Sequence, residues 1–214
     1  MVTIQKQTPI QTDTLQESIL VVKREYLFPE EPWQGLYTHN MQRYLNIIAA
    51  RKEFVPRHSA EQDFRYKQII PYLIFTHNGE IFVMQRRENA TEKRLQNKYT
   101  IGIGGHIRQE DIQSSDIFDW ANREFHEEVS YNDAMTIEPI GILNDDSNDV
   151  GKVHIGFVFL IHGHSNAIAI RSELKSGMLL PIDTCMAMHP QFETWSQIVL
   201  QKLIESPKFS SHPD

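Results

Sequence analysis

A cluster of three glutamates on one predicted helix is the feature of this chain best suited to chemistry. The segment Arg123-Glu124-Phe125-His126-Glu127-Glu128 follows a Gly104-Gly105-His106 segment after a short gap. At 3.6 residues per turn, Glu124 and Glu128 stack one turn apart on the same helix face, with Glu127 beside them. Three carboxylates that close repel each other unless a cation lies among them. Because Mg²⁺ binds a few carboxylate oxygens together with water and phosphate oxygens, the pattern favours a divalent-metal site.

The glutamate run also has an ordinary structural interpretation. Glutamate-rich faces are common on exposed helices, and an i,i+4 pair such as Arg123–Glu127 decorates many of them. The preceding residues bear on this choice, because residues 99–107 read as a short strand that opens into a Gly-Gly loop. Such a loop brings backbone N–H and C=O groups close to a ligand without obstruction by side chains.

The helix that carries the glutamates is predicted to bury one face. Its N-cap is expected at Ser114, Ser115 or Asp116. Apolar residues that fall mostly on one stripe predict packing against a core: Ile117, Trp120, Ala121, Phe125 and Val129. The carboxylates lie largely off this stripe. We therefore expect a strand, a Gly-rich loop and a helix that presents acid away from the core.

This order of residues resembles the Nudix (MutT-like) box, G-x5-E-x7-R-E-U-x-E-E-x-G-U, in which U is a bulky apolar residue. Gly105 matches the first glycine, and Asp111 takes the first acidic place as Asp instead of Glu. The second half is matched in order by Arg123, Glu124, Phe125, Glu127, Glu128 and Tyr131. The chain departs from the box by an insertion around Ile112–Asp119 and by Ser130 in the place of the last Gly. Neither departure removes a carboxylate.

The resemblance covers roughly residues 66–206 and implies a fold. Further segments are similar to one bacterial Nudix subgroup of inferred phosphoesterases with an N-terminal extension: Ile70–Phe75, Val83–Arg87, Ile101–His106, Val153–Phe157 and Glu193–Gln197. The implied fold class is α/β, a Nudix-type α/β/α sandwich with a mixed sheet and an N-terminal β/α extension. The resemblance also suggests the Gly104 carbonyl as a further metal ligand.

The chain is expected to divide into a flexible tail (1–16), an N-terminal extension packed on the domain (17–67), a Nudix hydrolase domain (68–206) and a second tail (207–214). Apolar residues at Leu20–Phe28 and Tyr44–Ile48 argue that the extension is folded. The charged segment Arg51–Lys67 is predicted to be a connecting loop.

Local patterns predict the remaining elements. Asn78-Gly79 between two apolar runs is a strong hairpin signal, with strands at Ile69–Thr76 and Ile81–Gln85. The Asp145–Asp149 segment has the composition of a turn. The other predicted elements are strands at Thr136–Leu143, Lys152–His162, Ala167–Ile170 and Met178–Ile182, and a final amphipathic helix at Pro190–Ile204.

Several basic residues are candidates for substrate binding. His106 lies beside the Gly-Gly loop, where the backbone of Gly105 is also available, and His154 lies on a predicted strand. Each histidine could instead be a buried, hydrogen-bonded residue with a structural role. Arg86 and Arg87 could contact a phosphate, or form the polar end of an edge strand.

Composition restricts the classes of partner. The formal net charge is −7, from 28 acidic and 21 basic residues, which disfavours nonspecific binding to nucleic acid or membranes. The lone Cys185 excludes an intramolecular disulfide framework and suits a reducing compartment. We expect neither a signal peptide nor a membrane span, and hence a cytoplasmic protein. A homodimer is left open.

These features together favour Mg²⁺-dependent (or Mn²⁺-dependent) hydrolysis of a diphosphate linkage in a small nucleoside diphosphate derivative or related phosphoanhydride. Glu124 and Glu128 would hold the ion, Glu127 would be a further ligand or a proton acceptor, and Arg123 would orient a glutamate by ion pairing. The alternative is a module that senses a nucleotide or sugar-phosphate without turnover. Isomerisation of an allylic diphosphate, as in some Nudix-like proteins, would require a catalytic cysteine, and Cys185 lies in a hydrophobic stretch.

A general base outside the box is a further candidate. In several Nudix-like hydrolases it lies on a loop after the central strands, where this chain has Glu173. A loop residue can approach the reacting water from the side opposite the helix. The competing interpretation is a solvated acid that pairs with Lys175.

Overall fold

The computed structural model, which describes residues 17–86, 98–112, 117–171 and 175–205, has a mixed ten-stranded sheet at its centre. The strands are β1 Ser18–Lys23, β2 Gly35–Tyr37, β3 Glu53–Pro56, β4 Tyr66–His77, β5 Glu80–Arg86, β6 Tyr99–Thr100, β7 Gly102–Gly104, β8 Val129–Ser130, β9 Met135–Asn144, β10 His154–Gly163, β11 Ala169–Ile170 and β12 Lys175–Pro181. The helices are α1 Arg24–Leu27, α2 Met41–Arg51, α3 Arg57–Ala60, α4 Ile117–Glu128, α5 Asp149–Val153, α6 Ile182–Ala187 and α7 Thr194–Ile204. Short 3₁₀ turns lie at Gln109–Asp111 and His189–Gln191.

The sheet is built around β4. Its main path runs β12-β5-β4-β10-β9-β2, while β1 and β7 also pair with β4, β3 pairs with β1, and β6 pairs with β5. The pairing of β4 with β10 is parallel and the others are antiparallel, so the predicted mixed sheet is confirmed. Strands β8 and β11 form a separate pair.

Alternating side chains of the central strands pack into two cores on opposite faces of the sheet. On β4, Leu73 and Phe75 join one core and Tyr72 and Ile74 join the other, as the two-residue period of a strand requires. Helix α4 covers the first face through its apolar stripe, and α6 and α7 cover the second. The expected α/β/α sandwich is confirmed.

The hairpin that joins β4 to β5 also agrees with the prediction. Asn78 and Gly79 both have positive φ, 49° and 80°, which is the backbone that a two-residue type I′ turn needs. The predicted strand at Lys152–His162 begins instead at His154, because Asp149–Val153 forms the short helix α5. The Asn148 side chain caps that helix by accepting from the Gly151 N–H.

The prediction of a connecting loop at Arg51–Lys67 is wrong. Strand β3 and helix α3 lie there, because Val55 pairs with Ile19 of β1 and packs with Ile19 and Ala60 in a small third core. The pairing joins strands that are distant in sequence, so local charge does not reveal it. Among the described residues, no helix is both long and apolar enough to cross a membrane.

Candidate active site

A cavity of about 920 Å³ opens where the Gly-Gly loop, helix α4, the loop before β10 and the start of α7 meet. The N-terminal extension also contributes to its wall through Glu17 and Arg57. The residues of the box line it together: Gly104, Gly105, His106, Glu124, Glu127 and Glu128. The cavity is the place in the described structure where the predicted chemistry converges.

The two glycines of the loop have different neighbours. Gly104 ends β7 opposite Tyr72, and a Cβ there would lie 2.5 Å from the Pro71 carbonyl oxygen. A Cβ on Gly105 would lie 2.1 Å from Oε1 of Glu124. The absence of a side chain at Gly105 therefore lets the Glu124 carboxylate lie directly against the loop.

Arg123 holds two of the three glutamates. Its Nη1 is 2.6 Å from Oε1 of Glu127, and its Nη2 is 3.5 Å from Oε2 of Glu124. The same Nη2 donates to the His106 carbonyl at 3.4 Å, which ties helix α4 to the loop. Glu124 is buried, at 6% exposure, whereas the sequence predicts that the carboxylates point away from the core. A buried carboxylate is costly unless a cation accompanies it, and here Arg123 is shared between Glu124 and Glu127.

Glu127 is more exposed and has a second basic partner. Arg108 Nη2 is 3.2 Å from Oε1 of Glu127, so two guanidinium groups share one carboxylate oxygen. Arg108 lines the cavity and follows the Gly-Gly loop directly. Glu128 also lines the cavity.

The two candidate histidines lie side by side in the cavity wall. Their Nε2 atoms are 3.3 Å apart, and Nδ1 of His154 is 2.6 Å from the Val150 carbonyl oxygen. Burial is the main cause that holds the pKa of His106 well below its usual range, with Arg57 the next cause. His106 is therefore neutral at physiological pH.

Sequence reasoning missed the contribution of helix α3. Arg57 reaches the cavity, and Glu61, which follows α3, places Oε1 4.0 Å from Nε2 of His106. Both residues fall in the segment that was predicted to be a loop. The pairing of β3 with β1 helps to bring α3 to this place, and no local motif marks it.

Other candidates lie away from the cavity or outside the described residues. Arg86 ends β5, where its backbone pairs with Lys175 of β12; its side chain is outside the described set, as are the whole of Arg87 and Glu173. The expected N-cap at residues 114–116 is likewise outside it. Cys185 is fully buried, burial raises the pKa of its thiol to about 11, and it is not among the residues that line the cavity.

The Asp145–Asp149 segment has a structural role, as the turn prediction implied. Asp145 is buried and accepts hydrogen bonds from Gln34 and Thr194, at 2.6 Å each. Asp146 pairs with Arg24 and with the buried Lys67. These contacts hold the loop before β10 against the N-terminal extension.

The donor set of the cavity fits a hard divalent cation. The carboxylates of Glu124 and Glu128 stand one helical turn apart, and the bare Gly105 leaves room at the Glu124 oxygens that a Cβ would fill. Mg²⁺ and Mn²⁺ both accept such oxygen ligands.

Comparison with known proteins agrees with this geometry. No protein-family model matches the chain. The chain is 33% identical over 205 residues to Protein YmaB of Bacillus subtilis, covering 88% of this chain and 98% of that protein. It is 28% identical to Tm1382, a protein assigned to the Nudix hydrolases, whose crystal structure matches 88% of this chain and 99% of that one with a TM-score of 0.75. The Nudix domain of NrtR from Shewanella oneidensis, solved with ADP ribose, has a TM-score of 0.50 to this chain. The match covers 78% of this chain and 96% of the NrtR chain, and at 14% identity it concerns the fold alone.

Proposed function

The chain belongs to the Nudix family, and on that basis we propose that it hydrolyses a diphosphate linkage in a nucleoside diphosphate derivative or a related phosphoanhydride. One observation carries the proposal: the carboxylates of Glu124, Glu127 and Glu128 converge on a cavity whose wall also presents guanidinium groups. Carboxylates can hold a divalent cation, and arginines can neutralise phosphate oxygens. The cavity volume of about 920 Å³ suits a small molecule of nucleotide size.

The metal ligands are proposed to be Glu124 and Glu128, with Glu127 and the Gly104 carbonyl as further ligands. A bound Mg²⁺ or Mn²⁺ supplies charge neutralisation at the phosphate and a more acidic water. Arg123 orients the Glu124 and Glu127 carboxylates, because its guanidinium contacts both of them. It is a positioning residue in this scheme.

Substrate contacts are proposed for the loop and for the opposite wall. Gly105, His106 and His154 line the cavity, so the backbone of the loop and the imidazole edges can face the substrate. Arg86 and Arg87 remain proposed phosphate contacts. Arg57 and Arg108 join them, since both line the cavity.

Glu173 is proposed as the general base, with Glu127 as the competing proton acceptor. The Arg171 N–H donates to the Glu128 carbonyl at 3.0 Å, so the chain that leads to Glu173 leaves from the end of helix α4. The Glu127 carboxylate is already paired with Arg123 and Arg108, so one of its oxygens is occupied by two guanidinium groups. The variant Glu173→Gln should lower kcat by roughly 10²–10⁴-fold with little change in metal affinity. Normal turnover by that variant would assign the proton to Glu127 or to solvent.

The proposed activity can be tested with a panel of nucleoside diphosphate derivatives and nucleoside triphosphates, in Mg²⁺ or Mn²⁺, reading released phosphate and pyrophosphate. Glu124→Gln and Glu128→Gln should each lose most turnover, roughly 10²-fold or more, because a metal ligand is removed while the volume of the side chain is kept. Exposed Glu25 on helix α1, which is not among the residues that line the cavity, provides a matched control as Glu25→Gln. Full Mg²⁺-dependent activity in both box variants would refute the proposal, and tight nucleotide binding without turnover in the unaltered protein would favour a sensor.

A further inference from the structure

Three potential metal ligands from different parts of the chain meet at one edge of the cavity. They are Glu61 after α3, His106 after β7 and His154 at the start of β10. One ligand atom from each lies within 4.8 Å of the other two. None of the three belongs to the glutamate run of helix α4.

The spacing of the two nitrogens matches a shared ion. Zinc binds imidazole nitrogen at about 2.0–2.1 Å, and two such nitrogens at a tetrahedral angle lie about 3.3 Å apart. The Nε2 atoms of His106 and His154 are 3.3 Å apart. Oε1 of Glu61 lies 4.0 Å from Nε2 of His106, which makes this carboxylate the third potential ligand.

His154 is also held in the orientation of a metal ligand. Its Nδ1–H donates to the Val150 carbonyl at 2.6 Å, which leaves the Nε2 lone pair directed at His106. Histidines that bind metals commonly donate the other ring N–H to a carbonyl or carboxylate in this way, because the contact fixes the tautomer. The backbone contact therefore prepares Nε2 for a ligand.

We propose that Glu61, His106 and His154 bind a second divalent ion of the transition-metal class, such as Zn²⁺, separate from the glutamate site. Two imidazoles and one carboxylate suit Zn²⁺, Co²⁺ or Mn²⁺ better than Mg²⁺, which prefers oxygen ligands. Because His106 and His154 both line the cavity, an ion held between them would be accessible to water or a phosphate oxygen. The ion would also join the N-terminal extension to the rest of the fold through Glu61.

The competing arrangement is a hydrogen bond without metal, in which Nε2–H of His106 donates to Nε2 of His154.

Binding of Co²⁺ distinguishes the metal site from the hydrogen bond. Full-length protein is stripped with a chelator, dialysed and titrated with Co²⁺ in excess Mg²⁺, which occupies oxygen-only sites. We expect one equivalent of bound Co²⁺ with the intense visible absorption of a four- or five-coordinate site, and its displacement by Zn²⁺. No activity measurement is involved, so the result is independent of the proposed hydrolysis.

Variants assign the ligands. His106→Gln and His154→Gln should each weaken Co²⁺ binding more than about 100-fold. Loss of a residue that only hydrogen-bonds to a metal ligand usually costs about 10–100-fold. Glu61→Gln should weaken Co²⁺ binding at least about 10-fold. His58→Gln, exposed on the same helix α3, and the double variant Glu124→Gln/Glu128→Gln should retain affinity within about twofold, as independent sites do. A wild-type protein that binds no Co²⁺ in excess Mg²⁺, or a spectrum lost in the double variant but kept in His106→Gln, would overturn the proposal.

Discussion

Gly104 and Gly105 are neighbours in the cavity wall, but the first has a role in the fold and the second a role in the site. Beside Gly104 a Cβ would meet a backbone carbonyl of the central strand, which cannot move without breaking the pairing of β7 with β4. Beside Gly105 a Cβ would meet only the end of the Glu124 side chain, which can rotate away. The first position is constrained by the fold and the second by the site.

We therefore expect Gly105→Ala to lower kcat by about 10²-fold, because a displacement of about 1 Å in a catalytic group has that effect. Its melting temperature should stay near that of the wild type. Gly104→Ala should instead lower the free energy of unfolding by roughly 1–3 kcal/mol, as overpacking does. Steady-state kinetics and urea unfolding of the two variants check the pair, and full activity in Gly105→Ala would contradict it.

Asp146 makes a pH-dependent contribution to stability. Its contacts with Arg24 and Lys67 hold the pKa of the carboxyl down at about 2, against 3.8 ordinarily, in opposition to burial, which raises it. Because the folded-state pKa is depressed, the contribution is fully present above about pH 4 and is lost as pH falls toward 2. Lys67 is fully buried, so its partner cannot be replaced by water.

The variant Asp146→Asn should lose roughly 3 kcal/mol of unfolding free energy at neutral pH, because a buried cation is left without its counter-ion. Urea unfolding between pH 7 and pH 3 should show the difference from wild type narrowing below about pH 4. Asp149→Asn removes an exposed carboxylate paired with Lys152 and should change stability by less than about 0.5 kcal/mol at any of these pH values. If the difference in unfolding free energy between Asp146→Asn and the wild type did not change with pH, the depressed pKa of Asp146 would be contradicted.

At the scale of elements, strand β1 connects the N-terminal extension to the site. Val21 and Val22 pair with β4, and the Leu20 N–H donates to the Ile107 carbonyl at 2.8 Å, directly after the Gly-Gly loop. Leu20 is 1% exposed and belongs to the same core as helix α4. The strand therefore supports both the sheet and the segment that carries His106.

Deletion of residues 1–67 is expected to give an insoluble or molten product, because it uncovers β4 and the core beneath α4. Leu20→Ala in the full chain tests the same contact more gently and should cost roughly 2–5 kcal/mol of unfolding free energy. Glu25→Ala, at an exposed position of α1, is the matched control. A soluble truncation with an unchanged cooperative melt would show that the extension is a separate appendage.

At the scale of the whole molecule, the cavity is a joint product of the extension and the box. Arg57 lines it from α3, and its guanidinium is paired with Glu17 at 3.0 Å. The net charge of −7 works against an anionic substrate, so local cations in the wall have to compensate. Among the described residues of the N-terminal extension, Arg57 is the basic residue that lines the cavity.

We expect Arg57→Ala to raise KM for the best phosphoanhydride substrate about tenfold, the effect of losing one charged contact of about 1.4 kcal/mol, with kcat within about twofold. Such a split means that ground state and transition state lose the same contact. Arg51→Ala removes a guanidinium that packs over Tyr26 and should leave KM unchanged. An unaltered KM in Arg57→Ala would remove the extension from substrate binding.

The sequence by itself determined the features that depend on neighbours along the chain. The spacing of Glu124, Glu127 and Glu128 follows from the helical period, the hairpin turn follows from Asn78-Gly79, and the apolar stripes predict which faces are buried. These patterns, with the resemblance to the Nudix box, were sufficient for the sandwich fold.

Only the tertiary structure decided what surrounds the glutamates. Strand β3 pairs with β1, which lies more than thirty residues away in the sequence. Through this pairing Arg57 lies at the cavity and Glu61 lies near His106. Glu61, His106 and His154 come from three separate segments, and their proximity depends on how the sheet and the extension pack. Contacts between distant segments leave no periodic trace in the sequence, since each partner taken alone has the composition of an ordinary charged or polar segment.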